Sequence, residues 1–266
     1  MNHFDKTSKL EVPAYTVNEQ APKSKRYAVA IFMINEGDKL HKQLIRMQDA
    51  RVCDAVDVIL ADGGSNDGSL DSNRMNQYDL KAILTKKGPG KLGAQMRMAF
   101  DYILKQGYEG LIVIDGNNKD SVENIVDFAH ALDAGWDHVQ GSRFIPGGKH
   151  VNTPKSRLLG VKLLHAPLLS IASGFKYTDT TNGFRAYSKR LLTDSRVQVF
   201  RDKLSHYELH YYLAYRAPKL GFKCQEIPVS RSYPSSGKIP TKISPIRGNL
   251  DVIRRLLKTC LGCYNP

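Results

Sequence analysis

The chain has 266 residues, 41% of them hydrophobic, which is enough to bury one large core or at most two small ones. No stretch offers the roughly 18 uninterrupted apolar residues of a bilayer-crossing helix; the best candidate, Leu158 to Phe175, is broken by Lys162, His165 and Pro167. A formal charge of +13 predicts attraction to polyanions, and the polar opening segment lacks the apolar core of a signal peptide, so the expected compartment is the cytoplasm.

Residues 1–26 read as a polar, flexible arm. Tyr27 to Ile34 is a continuous apolar run, and the next segment places Leu40, Leu44, Ile45 and Met47 on one helical face. Ala55 to Ala61 forms a second predicted strand and Ala82 to Thr85 a third. Lys91 to Gln106 then carries Leu92, Met96, Phe100, Ile103 and Leu104 at helical spacing, and Leu111 to Ile114 is the fourth strand. Strands that are apolar on both faces and alternate with helices predict an α/β fold with a mostly parallel sheet covered on both sides.

The second half is less periodic. Leu158 to Leu169 is a short apolar helix with a break at Pro167, suited to a membrane interface but better suited to core packing. The aromatic-rich segment "HYELHYYLAYRA" is helix-like and surrounds Glu208 with His206 and His210. Residues 247–266 place Leu250, Ile253, Leu257 and Leu261 at helical spacing beside Arg254, Arg255 and Lys258. This basic amphipathic tail suits anionic lipid or docking on the domain. The pair Cys260 and Cys263 lacks the second ligand pair of a zinc site.

In parallel sheets the ligand sits beyond the carboxyl ends of the strands. Each polar motif here follows one of the predicted strands: Asn35 and Glu36 the first, "ADGGSNDGS" the second, "KKGPGKLGA" the third and "DGNNKD" the fourth. Their convergence on one edge points to a nucleotide site, and a Gly-rich turn leading into a helix can present backbone N–H groups to phosphate. "GPGKLG" lacks the G-x-x-x-x-G-K-S/T pattern of a P-loop, and a dinucleotide fingerprint would follow the first strand, so an ATPase or a dehydrogenase fits poorly.

From about Tyr27 to Lys242 the motifs resemble, in order, those of the family 2 glycosyltransferases with the GT-A fold, particularly the dolichyl- and polyprenyl-phosphate sugar synthases. "INE" at Ile34–Glu36 resembles the end of the first family motif and "DGGSNDGS" at Asp62–Ser69 the "DDGSxDGT" motif. "GKLG" at Gly90–Gly93 resembles the next segment, and "IDGN" at Ile114–Asn117 takes the Asp-x-Asp position. "GSRFIPGG" at Gly141–Gly148, "TNGFRAYSKRLL" at Thr181–Leu192 and "EIPVSRSY" at Glu226–Tyr233 match the later motifs.

The resemblance implies one GT-A domain over residues 27–246, with a nucleotide-sugar half at 27–145 and an acceptor half at 146–246. It implies inverting transfer of a sugar from a nucleotide diphosphate to a polyprenyl phosphate. A glycan hydroxyl is the alternative acceptor, and no nucleic-acid partner is expected. A sugar-phosphate nucleotidyltransferase fits less well, because its basic Gly-rich loop would follow the first strand. A divalent cation, Mg2+ or Mn2+, would stabilise the leaving diphosphate, held by Asp115 with Asn117. Asn117 replaces the second Asp of the motif and Lys119 stands where related synthases offer another oxygen, so weak metal binding is expected. Asn35, Glu36, Asp62, Asp67, Lys91, Asp115 and Lys119 are the expected donor-site residues. An acceptor phosphate is already an anion and requires cations rather than a base; Arg143, Arg157, Arg231 and Lys242 match the basic motif positions. A hydroxyl acceptor would instead need a base, for which Glu208 and Asp179 are the candidates. Peripheral contact with the cytoplasmic face of a membrane fits this assignment.

Overall fold

The computed structural model describes residues 10–235 and 247–266. Within the segment expected to be a flexible arm, Tyr15–Glu19 form an ordered edge strand, β1. It is followed by β2 (Tyr27–Met33), α1 (Asp38–Asp49), β3 (Asp57–Asp62), α2 (Ser72–Met75), β4 (Leu80–Lys86), α3 (Leu92–Lys105) and β5 (Gly110–Asp115). The chain continues through α4 (Ile125–Asp133), β6 (His138–Ser142), β7 (Lys149–Val151), α5 (Lys155–Gly160) and α6 (Ala166–Ser173). It ends with β8 (Arg185–Ser188), α7 (Lys189–Thr193), α8 (Glu208–Lys219), β9 (Cys224–Pro228), β10 (Ser230–Ser232) and α9 (Arg247–Cys260).

The main sheet has the order β1-β4-β3-β2-β5-β8-β6-β9. β2, β3, β4 and β5 run parallel, as do β6 and β9, whereas β1 joins β4 and β8 joins both β5 and β6 antiparallel. The sheet is therefore mixed, and the parallel part is the half that was legible from the sequence. β2 is buried at every position because both of its faces are covered. Ala28, Ala30 and Phe32 face the layer containing α3 and α8, while Val29, Ile31 and Met33 face α1 and α4.

β1 covers the open edge of β4, where unpaired backbone groups would otherwise be exposed. Its ends are fixed by side chains: Tyr15 donates to Asp101 at 2.6 Å, and Glu19 accepts from Tyr102 at 2.9 Å. No run of alternating apolar residues marks this strand, which explains its absence from the sequence reading. At the other end, α9 packs Val252 and Leu256 against Leu169, Tyr177 and Tyr211. Arg255 anchors it by donating to Glu208 at 2.6 Å and Asp251 at 2.7 Å.

Candidate active site

The loops after β2 and β3 are bonded to each other. The Asn35 amide donates to Asn66 at 3.1 Å and its Oδ1 accepts from the Asn66 N–H at 2.9 Å. Asp67 accepts the Gly37 N–H at 3.0 Å and the Ser69 hydroxyl at 2.6 Å. Asp62, buried at the end of β3, accepts from the Gly64 and Ser65 N–H groups at 3.0 Å and the Ser65 hydroxyl at 2.6 Å. Both carboxylates therefore shape the turn that carries them. Glu36 lies half-buried in the same loop, 3.5 Å from Lys39. Gln95, a residue that no motif singled out, reaches up from α3 and donates to the Met33 and Ala61 carbonyls at 2.8 and 2.6 Å.

The start of α3 differs from the expected phosphate cradle. The N–H groups of Lys91 and Ala94 both donate to the Ser205 carbonyl, at 2.9 and 3.3 Å. Gly93 permits this approach, since a Cβ there would stand 2.4 Å from the Leu204 carbonyl oxygen. The helix start thus anchors the 204–206 loop, and the Lys91 side chain is exposed beside it.

β5 delivers Asp115 to the same edge, and the following turn is tied to α1. Asn118 takes the left-handed conformation at φ +56°, donates its N–H to Gln43 at 2.8 Å and accepts from Arg46 at 2.9 Å. Gly183, in the "TNGF" motif, lets its backbone pass close to Asp115: a Cβ there would lie 3.1 Å from Oδ1.

Arg231 links this strand end to the second half of the chain. Its guanidinium donates to Asp115 at 3.0 Å and to the buried Asp120 at 2.5 Å. Burial opposes its charge, but Asp120 and Asp115 outweigh that effect and raise its pKa well above the ordinary value. Arg157, on α5, donates to the Tyr233 hydroxyl at 2.7 Å, and Lys119 lies over the Tyr233 ring at 5.3 Å. Burial and the charge of Arg231 lower the Lys119 pKa, against the pull of Asp115. Burial alone would raise the Tyr233 phenol; Arg231, Arg157 and Arg143 outweigh it and lower the phenol pKa. The tyrosine thus sits in a net positive field, the environment an anion requires. Asp120 and Tyr233 were not candidates from sequence, although Tyr233 lies two residues after Arg231, the spacing that puts extended residues on one face.

The remaining candidates are held elsewhere or engaged differently. Arg143 forms a buried two-pronged pair with Asp179 at 2.6 and 2.9 Å and also donates to Thr181 at 2.9 Å. Burial works against the Asp179 carboxylate, but hydrogen bonds and charge from Arg143 prevail and hold its pKa below the ordinary value. Glu226 fixes the preceding turn by accepting the Thr178 and Asp179 N–H groups at 2.9 and 3.0 Å. Glu208 is fully buried and accepts from the His206 N–H at 2.7 Å and from Arg255 at 2.6 Å. Neither Glu208 nor Asp179 stands as an exposed base. Lys242 lies outside the described residues.

Asp115 and Asn117 could hold a cation. The Asp115 side chain is 30% exposed, the Asn117 amide nitrogen is 3.3 Å from Asp115 Oδ2, and Asn117 Oδ1 is buried with no hydrogen-bond partner. Such a pair of oxygens fits a hard divalent ion that completes its shell with water and phosphate. Among the described residues no group of three or more His, Cys, Asp or Glu is placed to hold a metal, so the protein supplies few ligands.

No family model matches the chain. It is 29% identical over 210 residues to a polyprenol monophosphomannose synthase of Mycolicibacterium smegmatis, covering 78% of this chain and 77% of that one. Over 198 residues it is 29% identical to an undecaprenyl-phosphate mannosyltransferase of Micrococcus luteus, covering 74% and 79%. A dolichyl-phosphate hexose transferase of Haloferax volcanii is 24% identical over 195 residues, covering 73% and 79%. Among solved structures, glucosyl-3-phosphoglycerate synthase from Mycobacterium tuberculosis with Mn2+, uridine diphosphate and glucosyl-3-phosphoglycerate has a TM-score of 0.62 at 15% identity, covering 91% of this chain and 81% of that one. The same enzyme with Mg2+ and uridine diphosphate has a TM-score of 0.61 at 16% identity, with the same coverage. With the ordered motifs, these likenesses make the chain similar to the dolichyl- and polyprenyl-phosphate sugar synthases, on the fold that glucosyl-3-phosphoglycerate synthase also has.

Proposed function

We propose that the protein transfers a sugar from a nucleotide diphosphate donor to a polyprenyl phosphate, with inversion, as a peripheral protein at the cytoplasmic face of a membrane. The observation that carries this reading is the contact of Asp115, at the donor edge, with Arg231, beside Tyr233 and Arg157. An anionic phosphate oxygen bound there attacks the anomeric carbon directly. The bond from that carbon to the diphosphate breaks as the new bond forms, and a nucleoside diphosphate leaves with the electron pair.

In this reading the loops at 35–37 and 62–69 receive the nucleoside, with Asn35, Glu36, Asp62 and Asp67 shaping or contacting it. Arg157 and Arg231, with Lys242, bind the acceptor phosphate through charge-assisted hydrogen bonds. Arg143 positions the 142–144 turn through its pair with Asp179. Asp115 and Asn117 would hold a weakly bound divalent cation, which would supply Lewis-acid stabilisation of the diphosphate. Lys119 adds a fixed positive charge beside it, and Lys91 is exposed at the rim of the same edge. The buried, paired states of Glu208 and Asp179 give no support to a hydroxyl acceptor.

Mass spectrometry of products from a panel of nucleotide sugars, with and without polyprenyl phosphate, tests the assignment. The expected products are a prenyl-phosphate sugar and a nucleoside diphosphate. Pyrophosphate formed from a nucleoside triphosphate and a sugar phosphate would reject the glycosyltransferase chemistry, and transfer to a free sugar alone would reject the lipid acceptor.

A further inference from the structure

The helices beside the acceptor site carry apolar residues on their outer as well as their inner faces. Leu159 is 57% exposed, Leu163 72% and Ile171 82%; on α9, Leu250 is 62% exposed and Leu257 43%, and Leu261, in the turn just after it, 79%. These are not the residues that hold the helices to the domain. α6 and α9 dock through a separate inner cluster that includes Leu169, Val252 and Leu256. Along α9 and into the turn that follows it the outer face is a regular stripe: Leu250, Arg254, Leu257 and Leu261 recur at intervals of four, three and four residues, the spacing of one helical face.

The charges around this surface have one sign. From Lys155 to Thr178 the chain contains no Asp or Glu, while Lys155, Lys162 and Lys176 are exposed. On α9, Arg254 and Lys258 are exposed beside the leucines, and Asp251, the one acid from residue 247 onward, is paired with Arg255 at 2.7 Å. Exposed leucines rimmed by lysine and arginine complement a surface that is apolar within and anionic at its boundary.

The position of α5 supplies the connection to chemistry. Arg157 faces the site through Tyr233, and Leu159 and Leu163 follow on the same helical run. At no more than about 1.5 Å per residue, and less through the π-helical turn at Val161–His165, Leu163 lies within roughly 9 Å along the axis from Arg157, so a phosphate at the arginine and a hydrocarbon tail at the leucines are within reach of one amphiphile. We propose that the outer faces of α5, α6 and α9 form the surface by which the protein docks on an anionic bilayer and draws its acceptor from it. The proposal rests on the lipid-phosphate reading above for the acceptor, but the docking itself is measurable without turnover.

Flotation of the full chain with vesicles of phosphatidylcholine alone, and of phosphatidylcholine mixed with phosphatidylglycerol, tests it. The protein is expected to float with the mixed vesicles, less so as salt screens the cations, and to stay behind with the neutral ones. Leu163→Glu with Ile171→Glu on one side, and Leu257→Glu with Leu261→Glu on the other, should each weaken flotation by roughly tenfold or more. Circular dichroism and melting should remain those of the parent in both pairs, and the Leu257→Glu with Leu261→Glu pair, remote from the acceptor tail, should retain transfer to a short, water-soluble prenyl phosphate. Leu163→Ser with Ile171→Ser provides a milder check in case the acidic pair disturbs the fold. Wild-type protein that ignores the mixed vesicles, or variants that float like the parent, would overturn the proposal. So would a self-associated protein that the same substitutions convert to monomer, because the face would then be an interface between copies. Loss of all transfer to prenyl phosphates by a protein that still floats would instead count against the proposed acceptor.

Discussion

The two sides of the proposed site are held by different physics. On the donor side, the loops at 35–37 and 62–69 are fixed by short-range hydrogen bonds in which Asp62, Asp67 and Asn35 bind backbone N–H groups or small side chains. On the acceptor side, Arg231 holds Asp115 and Asp120 from more than a hundred residues away, and Arg143 holds Asp179. In the proposed assignment the donor loops arrive pre-shaped, whereas the acceptor side is a set of buried charge pairs whose cations an anionic substrate would engage. Removing a donor-side carboxylate should loosen one turn. Removing an acceptor-side partner leaves a charge stranded in a low-dielectric interior.

The largest expected effect is therefore on stability rather than turnover. Asp179→Asn should cost about 3–5 kcal/mol in chemical denaturation, because Arg143 loses its buried counter-charge. Asp62→Asn should cost far less, and equal losses would erase the contrast. The pH dependence follows from the sign of the shift: the Asp179 pKa is depressed in the fold, so its contribution is complete above the ordinary carboxylate value of 3.8 and is lost as pH falls through the folded value. Acid unfolding of the wild type should thus be steeper than that of the Asn variant.

Next in size is Asp115→Ala, for which turnover should fall by about 100-fold or more, in the range seen when one transition-state electrostatic contact is removed. The fold should persist because Asp120 remains as a partner for Arg231. Unfolding curves and turnover measured on the same preparation separate the two effects. Activity of the parent enzyme that survives a chelator would assign the counter-charge to Lys119 rather than to a metal.

Arg157 sharpens the comparison from the acceptor side, since it is paired with a phenol rather than a buried carboxylate. Arg157→Ala should raise the KM for polyprenyl phosphate roughly tenfold to a hundredfold, as expected for a charge-assisted hydrogen bond, with donor affinity unchanged. Arg157→Lys should recover only part of this, because an ammonium cannot reproduce the forked contact. Kinetics with donor and acceptor varied separately would show an equal loss for both if the arginine is merely structural.

The smallest effect is spectroscopic. The difference between ultraviolet titrations of the parent and Tyr233→Phe should report one phenol ionising below its ordinary value of 10, in the direction the neighbouring arginines impose. Inorganic phosphate should shift it back upward by neutralising part of that field. A phenol unresponsive to phosphate would place the anion elsewhere.

Periodicity and motif order made the parallel half of the sheet and its polar edge legible, because both are local properties. Tyr27–Met33 must be a doubly covered strand whatever lies beside it, and Asp115 must emerge where an apolar run stops. The resemblance to the family 2 glycosyltransferases was legible for the same reason, through motifs in a fixed order. Only the tertiary structure decided that Asp62 and Asp67 cap their own turns, that Asp179 and Glu208 are buried partners of arginines, and that Asp120 and Tyr233 lie against Arg231. It also turned part of the polar opening segment into an edge strand and docked the basic tail through Leu256 while leaving Leu250, Leu257 and Leu261 outside. The reason is physical: local pattern fixes which face of an element is apolar, but the partner of a charge depends on which distant segment the packed core brings within about 3 Å of it.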